Sequence, residues 1–183
     1  MEHSAKQLMK NDTTAIYEFL NRASTDEFTK NMDMISEVLE KAKNLIFIGS
    51  GNSGVMAQYA ARYFSSVGKF ALHVENPMYY ISLENPEESV VIVFSVAGEG
   101  SALINNISAL KTSKTTIVSV TNSKNSTIAK LSDYNISYYV QHELKQDEKS
   151  FPRIDITTQF PVLYIIEALA KKTYNIKHSQ TEK

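Results

Sequence analysis

The 183-residue chain contains no cysteine. This absence excludes a disulfide framework, a thiolate zinc site, an iron–sulfur cluster and a cysteine nucleophile, and it suits a reducing compartment. Long apolar runs are also missing, since none approaches the roughly 20 residues that span a bilayer. The polar segment from Met1 to Lys10 lacks the apolar stretch of a signal peptide. We therefore expect a cytoplasmic protein that does not bind membranes.

The chain has little excess charge of either sign. Its formal net charge is -1 and its sequence pI is about 6.4, so the chain alone offers no electrostatic footprint for nucleic acid. The histidines at positions 3, 73 and 178 show no metal-ligand spacing, and we expect no metal site. What remains, 43% hydrophobic and 21% charged residues, is typical of one globular domain.

Short apolar segments alternate with helical segments after Asn44. The strand candidates are Leu45–Ile48, Phe70–Val74, Val90–Phe94, Thr116–Val120 and Ile136–Val140. The helix candidates are Val55–Phe64, Leu103–Leu110, Ile128–Leu131 and Ile154–Lys171, with a charged loop over His142–Arg153. Strands that are apolar throughout are buried on both faces. The pattern predicts an α/β fold of three layers (α/β/α) with a doubly wound, five-stranded parallel sheet.

Residues 1–43 have a helical pattern and form a predicted arm before the domain. Apolar residues recur at spacings of three and four, from Ile16 to Leu39. Ser24 and Glu27 resemble a capping box that would start the second of two helices. An amphipathic arm must bury its apolar stripe, so we expect it to pack on the domain or on a second subunit. The domain is assigned to residues 44–174 and a polar tail to residues 175–183.

Small and hydroxyl-bearing residues follow three of the predicted strands. They are Gly49, Ser50, Gly51, Ser53 and Gly54 after the first, Ser95, Gly98, Gly100 and Ser101 after the third, and the run Thr121–Ser126 after the fourth. Ligands bind at the carboxyl ends of parallel strands. Glycine-rich turns before helix N-termini present free N–H groups and partial positive charge there, which favours a phosphate.

A dinucleotide site is the first alternative for these turns. Gly49, Gly51 and Gly54 match Gly-x-Gly-x-x-Gly, and Glu75 lies about 24 residues after Gly51, close to the usual position of a ribose-binding acid. A dinucleotide fold does not require the later hydroxyl-rich turns, however. No glycine is followed by Gly-Lys-Ser/Thr, so a Walker phosphate loop is excluded. We predict no cofactor.

The two turns at 49–54 and 95–101 resemble those of the sugar-isomerase (SIS) domain, a doubly wound, phosphosugar-binding fold. The resemblance runs from about Asn44 to Lys172. The segment Thr116–Ser126 and the closing helix with Gln159 look more specifically like the sensor domain of RpiR-family transcriptional regulators. In that family a helix-turn-helix domain and a linker helix precede the SIS domain. Residues 1–43 look like the linker, and the DNA-binding domain is expected to be missing from this chain.

The resemblance assigns individual ligand contacts. Ser53 and Ser95 match hydroxyls of the two turns, and Gly98 matches the glycine of the second. Ala97 stands where the family has a phosphate-binding serine, and Gly100 stands where it has threonine. Losing two hydrogen bonds to a charged group would cost about 3–6 kcal/mol. Ser101 is expected to compensate in part, together with the backbone amides of this turn.

The predicted ligand-binding residues are Gly51, Asn52, Ser53, Ser95, Val96, Ala97, Gly98, Glu99, Gly100, Ser101 and Gln159. The expected ligand is a sugar phosphate, or a related anionic sugar such as an amino-sugar acid. The resemblance further implies a homo-oligomer, at least a dimer, that reaches DNA only through the missing domain.

A stand-alone aldose–ketose sugar-phosphate isomerase is the rival function. Such an enzyme needs a general base, for which the candidates are Glu99, His142, Glu143, Asp155 and Glu167. Four of these five have a simpler interpretation: Glu99 and Asp155 as first-turn helix residues, His142 as a solvated loop residue, and Glu167 as the surface partner of Lys171. Isomerases of this fold carry glutamate near the start of the last helix, where this chain has Thr157, Thr158 and Gln159. An amide cannot abstract a proton, so no catalytic residue is assigned and the sensor is favoured.

Overall fold

A computed structural model describes residues 2–145 and 154–179, with side chains described for 9–144 and 155–179. The helices are α1 (Glu2–Ala23), α2 (Asp26–Lys41), α3 (Asn52–Ser66), α4 (Ser101–Thr112), α5 (Thr127–Leu131) and α6 (Phe160–Ser179). The strands are β1 (Asn44–Gly49), β2 (Phe70–Val74), β3 (Ser89–Ser95), β4 (Thr116–Thr121), β5 (Tyr134–Ser137), β6 (Leu144–Lys145) and β7 (Ile154–Asp155). None of the described helices is both long and apolar enough to cross a bilayer.

The central sheet has five parallel strands in the order β2-β1-β3-β4-β5, which confirms the predicted fold. Its three inner strands are almost entirely buried, because helices cover both faces. One face packs against α1, α2, α3 and α6, and the other packs against α4 and α5. The chain leaves β1 toward one edge of the sheet and β3 toward the other. A crevice therefore opens at the carboxyl ends of these two strands.

The arm packs on the domain itself. Phe19 of α1 is 1% exposed and makes edge-to-face contacts with Phe28 of α2 and Tyr164 of α6. An ion pair between Lys172 and Asp33 adds a polar link between α6 and α2. The start of α2 differs from the prediction by one residue. Thr25, not Ser24, is the N-cap, and its hydroxyl accepts a hydrogen bond from the backbone N–H of Phe28.

Strand β5 is shorter than predicted and lies earlier, at Tyr134–Ser137 rather than Ile136–Val140. The reason lies in the backbone of Tyr139, whose φ of +51° ends the regular strand. The side chain of Asn122 takes over the pairing, because its amide exchanges two hydrogen bonds of 2.7 Å with the backbone of Val140. The apolar pattern thus predicts a strand in this part of the chain, but it does not predict the left-handed backbone at Tyr139.

The last helix begins at Phe160 and not at Ile154 as predicted. Ile154–Asp155 instead forms β7, which pairs antiparallel with β6 inside the segment predicted as a charged loop; positions 146–153 of that loop lie outside the described residues. Pro161 explains the late start. A helix that began at Ile154 would place Pro161 in its interior, where proline lacks the N–H for an intrahelical hydrogen bond and clashes with the preceding turn. In the first turn of α6 that N–H is not needed. Helix α6 continues to Ser179, so residues 175–179 of the predicted tail are helical; positions 180–183 lie outside the described residues.

Candidate functional site

The first turn joins β1 to α3 through backbone contacts that only small residues permit. A Cβ atom at Gly49 would lie 2.4 Å from the backbone oxygen of Ser53, so strand and helix could not approach as closely. Gly51 has a φ of +56° and open space around its Cα. Backbone hydrogen bonds from Ser53 to Ser50 and from Gly54 to Gly51 close the turn. The positive end of α3 consequently faces the crevice.

The second turn follows β3 and is braced against α5. The hydroxyl of Ser95 accepts a hydrogen bond from the N–H of Gly98 at 3.1 Å. Gly98 has a φ of +68°, and a Cβ there would lie 2.3 Å from the hydroxyl oxygen of Ser126. The carboxylate of Glu99 accepts hydrogen bonds from the hydroxyl (2.6 Å) and the N–H (2.9 Å) of Thr127, which lower the pKa of Glu99.

The two turns enclose a cavity of about 420 Å³ at the crevice between β1 and β3. Eight of the eleven predicted residues line it: Gly51, Asn52, Ser53, Ser95, Val96, Ala97, Gly100 and Gln159. Four further lining residues were not predicted, namely Ser50, Phe94, Leu103 and Asp155. Residues from both turns therefore share one cavity, as the sequence predicted.

Gly98, Glu99 and Ser101 do not line this cavity. Gly98 is buried against Ser126, and the carboxylate of Glu99 accepts the hydrogen bonds from Thr127 described above. Ser101 is exposed as the first residue of α4. The structure thus places Ser101 in the first turn of α4, next to the lining residue Gly100 but outside the lining itself.

A third wall comes from the extended segment between β7 and α6. Asn52 donates from Nδ2 to the backbone oxygen of Asp155 at 3.3 Å, which joins the first turn to this wall. Gln159 donates from Nε2 to the oxygen of Thr157 at 3.1 Å. Its buried Oε1 has no hydrogen-bond partner among the described residues. An unpaired acceptor that borders a cavity is suited to a ligand hydroxyl.

Asp155 and His142 form a pair beside the cavity that the sequence did not predict. Nε2 of His142 lies 3.2 Å from Oδ2 of Asp155, and Oδ1 accepts from the N–H of Thr157 at 2.9 Å. Burial alone would raise the pKa of Asp155, but the hydrogen bonds from Thr157 and His142 outweigh it and lower that pKa. Asp155 thus does not begin a helix, and His142 is half-buried and paired. Both expectations are corrected.

The remaining base candidates lie elsewhere. Glu167 accepts hydrogen bonds from Tyr59 (3.0 Å) and Lys171 (3.1 Å) on the helix surface, outside the cavity lining. Glu143 contributes its backbone N–H to the hydroxyl of Thr157 at 2.8 Å. Over residues 2–145 and 154–179, no group of three or more histidine and acidic side chains is arranged to hold a metal ion.

Charge in the cavity comes from Asp155 and from the helix ends. The described residues that line it include no lysine or arginine. An anionic ligand would therefore depend on backbone N–H groups at the starts of α3 and α4 and on hydroxyls such as that of Ser53. The side of the cavity near Asp155 is instead suited to groups that donate hydrogen bonds.

Comparison with known proteins places this geometry in a family. A family model described as the SIS domain matches residues 38–146. An uncharacterized Helicobacter pylori protein is 30% identical over 147 residues, which cover 76% of this chain and 43% of that protein. An uncharacterized HTH-type transcriptional regulator of Clostridium perfringens is 23% identical over 91% of this chain and 57% of its own length. A Haemophilus influenzae protein named "Probable arabinose 5-phosphate isomerase" is 29% identical over 68% of this chain and 37% of its own length. The chain thus spans about half the length, or less, of these curated relatives.

Solved structures share the whole fold at low sequence identity. The sugar isomerase domain of an RpiR transcription factor from Sphaerobacter thermophilus has a TM-score of 0.72 at 14% identity and covers 96% of this chain and 92% of its own. The Vibrio vulnificus NanR protein complexed with ManNAc-6P has a TM-score of 0.73 at 16% identity, with coverage of 97% and 67%. An Escherichia coli CFT073 protein in complex with A5P has a TM-score of 0.71 at 23% identity, with coverage of 96% and 90%.

Proposed function

Because the chain belongs to the SIS domain family, we propose that its cavity binds a sugar phosphate and that the chain is the sensing domain of an RpiR-like transcriptional regulator. The single observation that carries this proposal is the cavity between β1 and β3, where both glycine- and serine-containing turns meet. A sugar phosphate of the size of A5P or ManNAc-6P, the ligands of two structural neighbours, suits a cavity of about 420 Å³.

We infer an orientation of the ligand from the chemistry of the walls. The phosphate would lie between the turns, near Ser53, Ser95 and the start of α4, where N–H groups and helix dipoles are positive. The sugar hydroxyls would then face Asp155 and the free Oε1 of Gln159, since both oxygens accept hydrogen bonds.

A regulator also needs a mechanism that couples occupancy to DNA binding. In the proposed scheme the ligand favours one arrangement of the chain over another, which requires different ligand affinities in the two arrangements. The arm packs on α6 and leads toward the N-terminus, so it is the element through which an attached DNA-binding domain would respond. Relatives named as HTH-type regulators support this assignment. A cytoplasmic homodimer is the form that we propose for the protein.

The isomerase remains the second candidate, and one observation favours it. Asp155 lines the cavity beside His142, and a carboxylate–histidine pair can act as acid and base. The lowered pKa of Asp155 argues against Asp155 itself as the base, because a carboxylate that already accepts hydrogen bonds from Thr157 and His142 is a weak base.

The proposal is tested by calorimetry with A5P and ManNAc-6P, each beside its unphosphorylated parent sugar. We expect saturable binding of at least one phosphorylated sugar and binding at least tenfold weaker for its parent. Ser53→Ala should weaken binding, whereas the matched variant Ser101→Ala should not, because Ser101 lies outside the cavity. Equal binding of the parent sugars, or no binding by either phosphate, would overturn the proposal. Conversion of ketose to aldose phosphate, followed by NMR, would replace the sensor with the isomerase.

A further inference from the structure

A second cavity, of about 340 Å³, lies between the arm and the end of β5. The last turn of α1 contributes Arg22, and Thr25 follows from the turn before α2. The turn after β4 contributes Lys124, and the segment after β5 contributes Tyr139. It shares no lining residue with the cavity between β1 and β3. The proposed function makes no use of it.

Arg22 links the arm to the segment after β5 and has a side-chain N–H that is not used in a described hydrogen bond. Its Nη2 donates to the backbone oxygens of Tyr138 at 3.2 Å and Tyr139 at 2.8 Å. Its Nε is buried and has no hydrogen-bond partner among the described residues. A buried N–H of a charged group without an acceptor is costly, and native structures rarely leave one unpaired. An acceptor from outside the chain would satisfy it.

The neutral polar side chains of the cavity are already committed to one another. Asn31 donates to the backbone oxygen of Asn135 at 2.9 Å, and Asn135 donates to the hydroxyl of Ser119 at 2.9 Å. Ser137 donates to Oδ1 of Asn135 at 2.6 Å. The charged donors among the described lining residues are Arg22 and Lys124. Glu27 is the one acidic side chain among the described lining residues, which together carry one net positive charge.

The other walls are aromatic, and one of them is strained. Tyr139 has a φ of +51°, which is unfavourable for a bulky residue, and its side chain is 43% exposed. Phe28 lies on the arm side of the same cavity. Strained backbone is concentrated at functional sites, where the surrounding structure maintains it. Here it holds an aromatic ring beside a pair of cations.

We propose that this second cavity binds a small organic carboxylate with an apolar body. The single net positive charge matches a monoanion better than a doubly charged phosphate. The guanidinium of Arg22 and the ammonium of Lys124 offer charged donors to a carboxylate, and Tyr139 and Phe28 supply contact for the apolar body. A ligand there would touch the arm and the sheet at once. It would therefore act on the arm independently of the first cavity.

The test uses benzoate as a charged probe and benzamide as its neutral counterpart of equal size. Binding is followed by ¹H–¹⁵N NMR of the full chain. We expect saturable benzoate shifts at Lys124, Asn135 and Tyr139, with benzamide at least fivefold weaker, because only benzoate pairs with the cations. Equal affinity of the two probes would overturn the proposal. Saturable benzoate shifts confined to the turns at 49–54 and 95–101 would overturn it as well.

Three variants distinguish the loss of a contact in the second cavity from a general effect of substitution on the chain. Lys124→Ala should weaken benzoate binding about threefold or more, and Tyr139→Gly should weaken it while relieving the unfavourable backbone. Lys114→Gly is the matched control, because Lys114 is a lysine with a φ of +62° that does not line the cavity. Binding by Lys124→Ala and Tyr139→Gly that equals that of Lys114→Gly would contradict the assignment. The affinity of Lys124→Ala for a sugar phosphate should be unchanged. Failure of benzoate to bind the second cavity can therefore be distinguished from failure of a sugar phosphate to bind the first.

Discussion

At the scale of single residues, Ala97 is the position that most directly controls affinity for a phosphate. It is exposed on the cavity wall, between Val96 and Gly98, and it stands where the family resemblance implies a serine. A hydroxyl there adds a donor for a charged oxygen. We predict that Ala97→Ser tightens sugar-phosphate binding by about 1.5–3 kcal/mol, or roughly 10- to 100-fold.

Calorimetry of Ala97→Ser beside Ala97→Val checks this prediction. Valine adds bulk at this position and no hydroxyl, so it should not tighten binding. Equal affinities for wild type, Ala97→Ser and Ala97→Val would show that the phosphate does not lie at this turn.

Asp155 leads to a prediction about pH. Its pKa is lowered in the folded chain by Thr157 and His142, so the ionised form is favoured by folding. The resulting stabilisation is present above the unfolded pKa of about 3.9 and is lost as pH falls through the lower, folded pKa. Asp155→Asn should therefore be less stable than wild type at pH 6, with a difference that shrinks below pH 4.

Urea unfolding at several pH values measures this difference. Asp12→Asn, an exposed change on α1, is the control and should show no comparable trend. A stability gap for Asp155→Asn that grows in acid would contradict the assigned hydrogen bonds.

The residues of the two turns could be predicted, whereas the third wall could not. Ser53, Ser95 and Ala97 follow buried apolar runs, so their place at the edge of the sheet follows from the strand pattern. The position of Asp155 depends on the pairing of two short strands across a long loop. No local sequence pattern predicts that pairing. Gln159 was recognised through family resemblance alone. Its free Oε1 is a property of tertiary packing.

At the scale of elements, the contact between β1 and α3 depends on Gly49. An added Cβ would lie 2.4 Å from the backbone oxygen of Ser53, which cannot rotate away. We predict that Gly49→Ala destabilises the protein by about 2–3 kcal/mol, as overpacking does, and weakens ligand binding. Thermal unfolding measures the loss. Gly100→Ala is the control, since its nearest contact would be a side-chain atom at 3.8 Å, and a similar loss there would contradict the cause.

Elements with a single strong signal were predicted well, and those with competing signals were not. The inner strands are buried apolar runs, and their predicted centres agree with the structure to within a residue or two. The start of α6 was misplaced by six residues, although Pro161 fits the first turn of a helix better than its interior. Strand β5 was displaced because the positive φ of Tyr139 has no signature in that residue type.

At the scale of the whole molecule, the arm belongs to the core of the domain. Phe19 is 1% exposed and packs on Phe28 and Tyr164. We predict that Phe19→Ala costs about 3–5 kcal/mol of stability, measured by urea unfolding in a single transition. Met9→Ala is the control on the same helix, because Met9 is 72% exposed. Two separate transitions in wild type would mean that the arm unfolds on its own.

Association is the remaining prediction at this scale. Strand β2 is an edge strand with Phe70 61% and Leu72 53% exposed, and uncovered apolar edges favour pairing. We expect the proposed dimer in sedimentation velocity and a shift toward monomer in Leu72→Lys. Met34→Lys, an exposed apolar residue of α2, is the control that should leave the sedimentation coefficient unchanged. A wild-type monomer at all concentrations would contradict the proposed dimer.

The first cavity is assembled from three segments far apart in the chain: 50–53, 94–103 and 155–159. A ligand that bonds to all three acts as a reversible cross-link that closes two long loops of the polypeptide. No single peptide excised from the chain would keep its affinity. Binding of the ligand to this cavity would instead make the entire fold more resistant to proteolysis. The protection would extend to cleavage sites remote from the sugar.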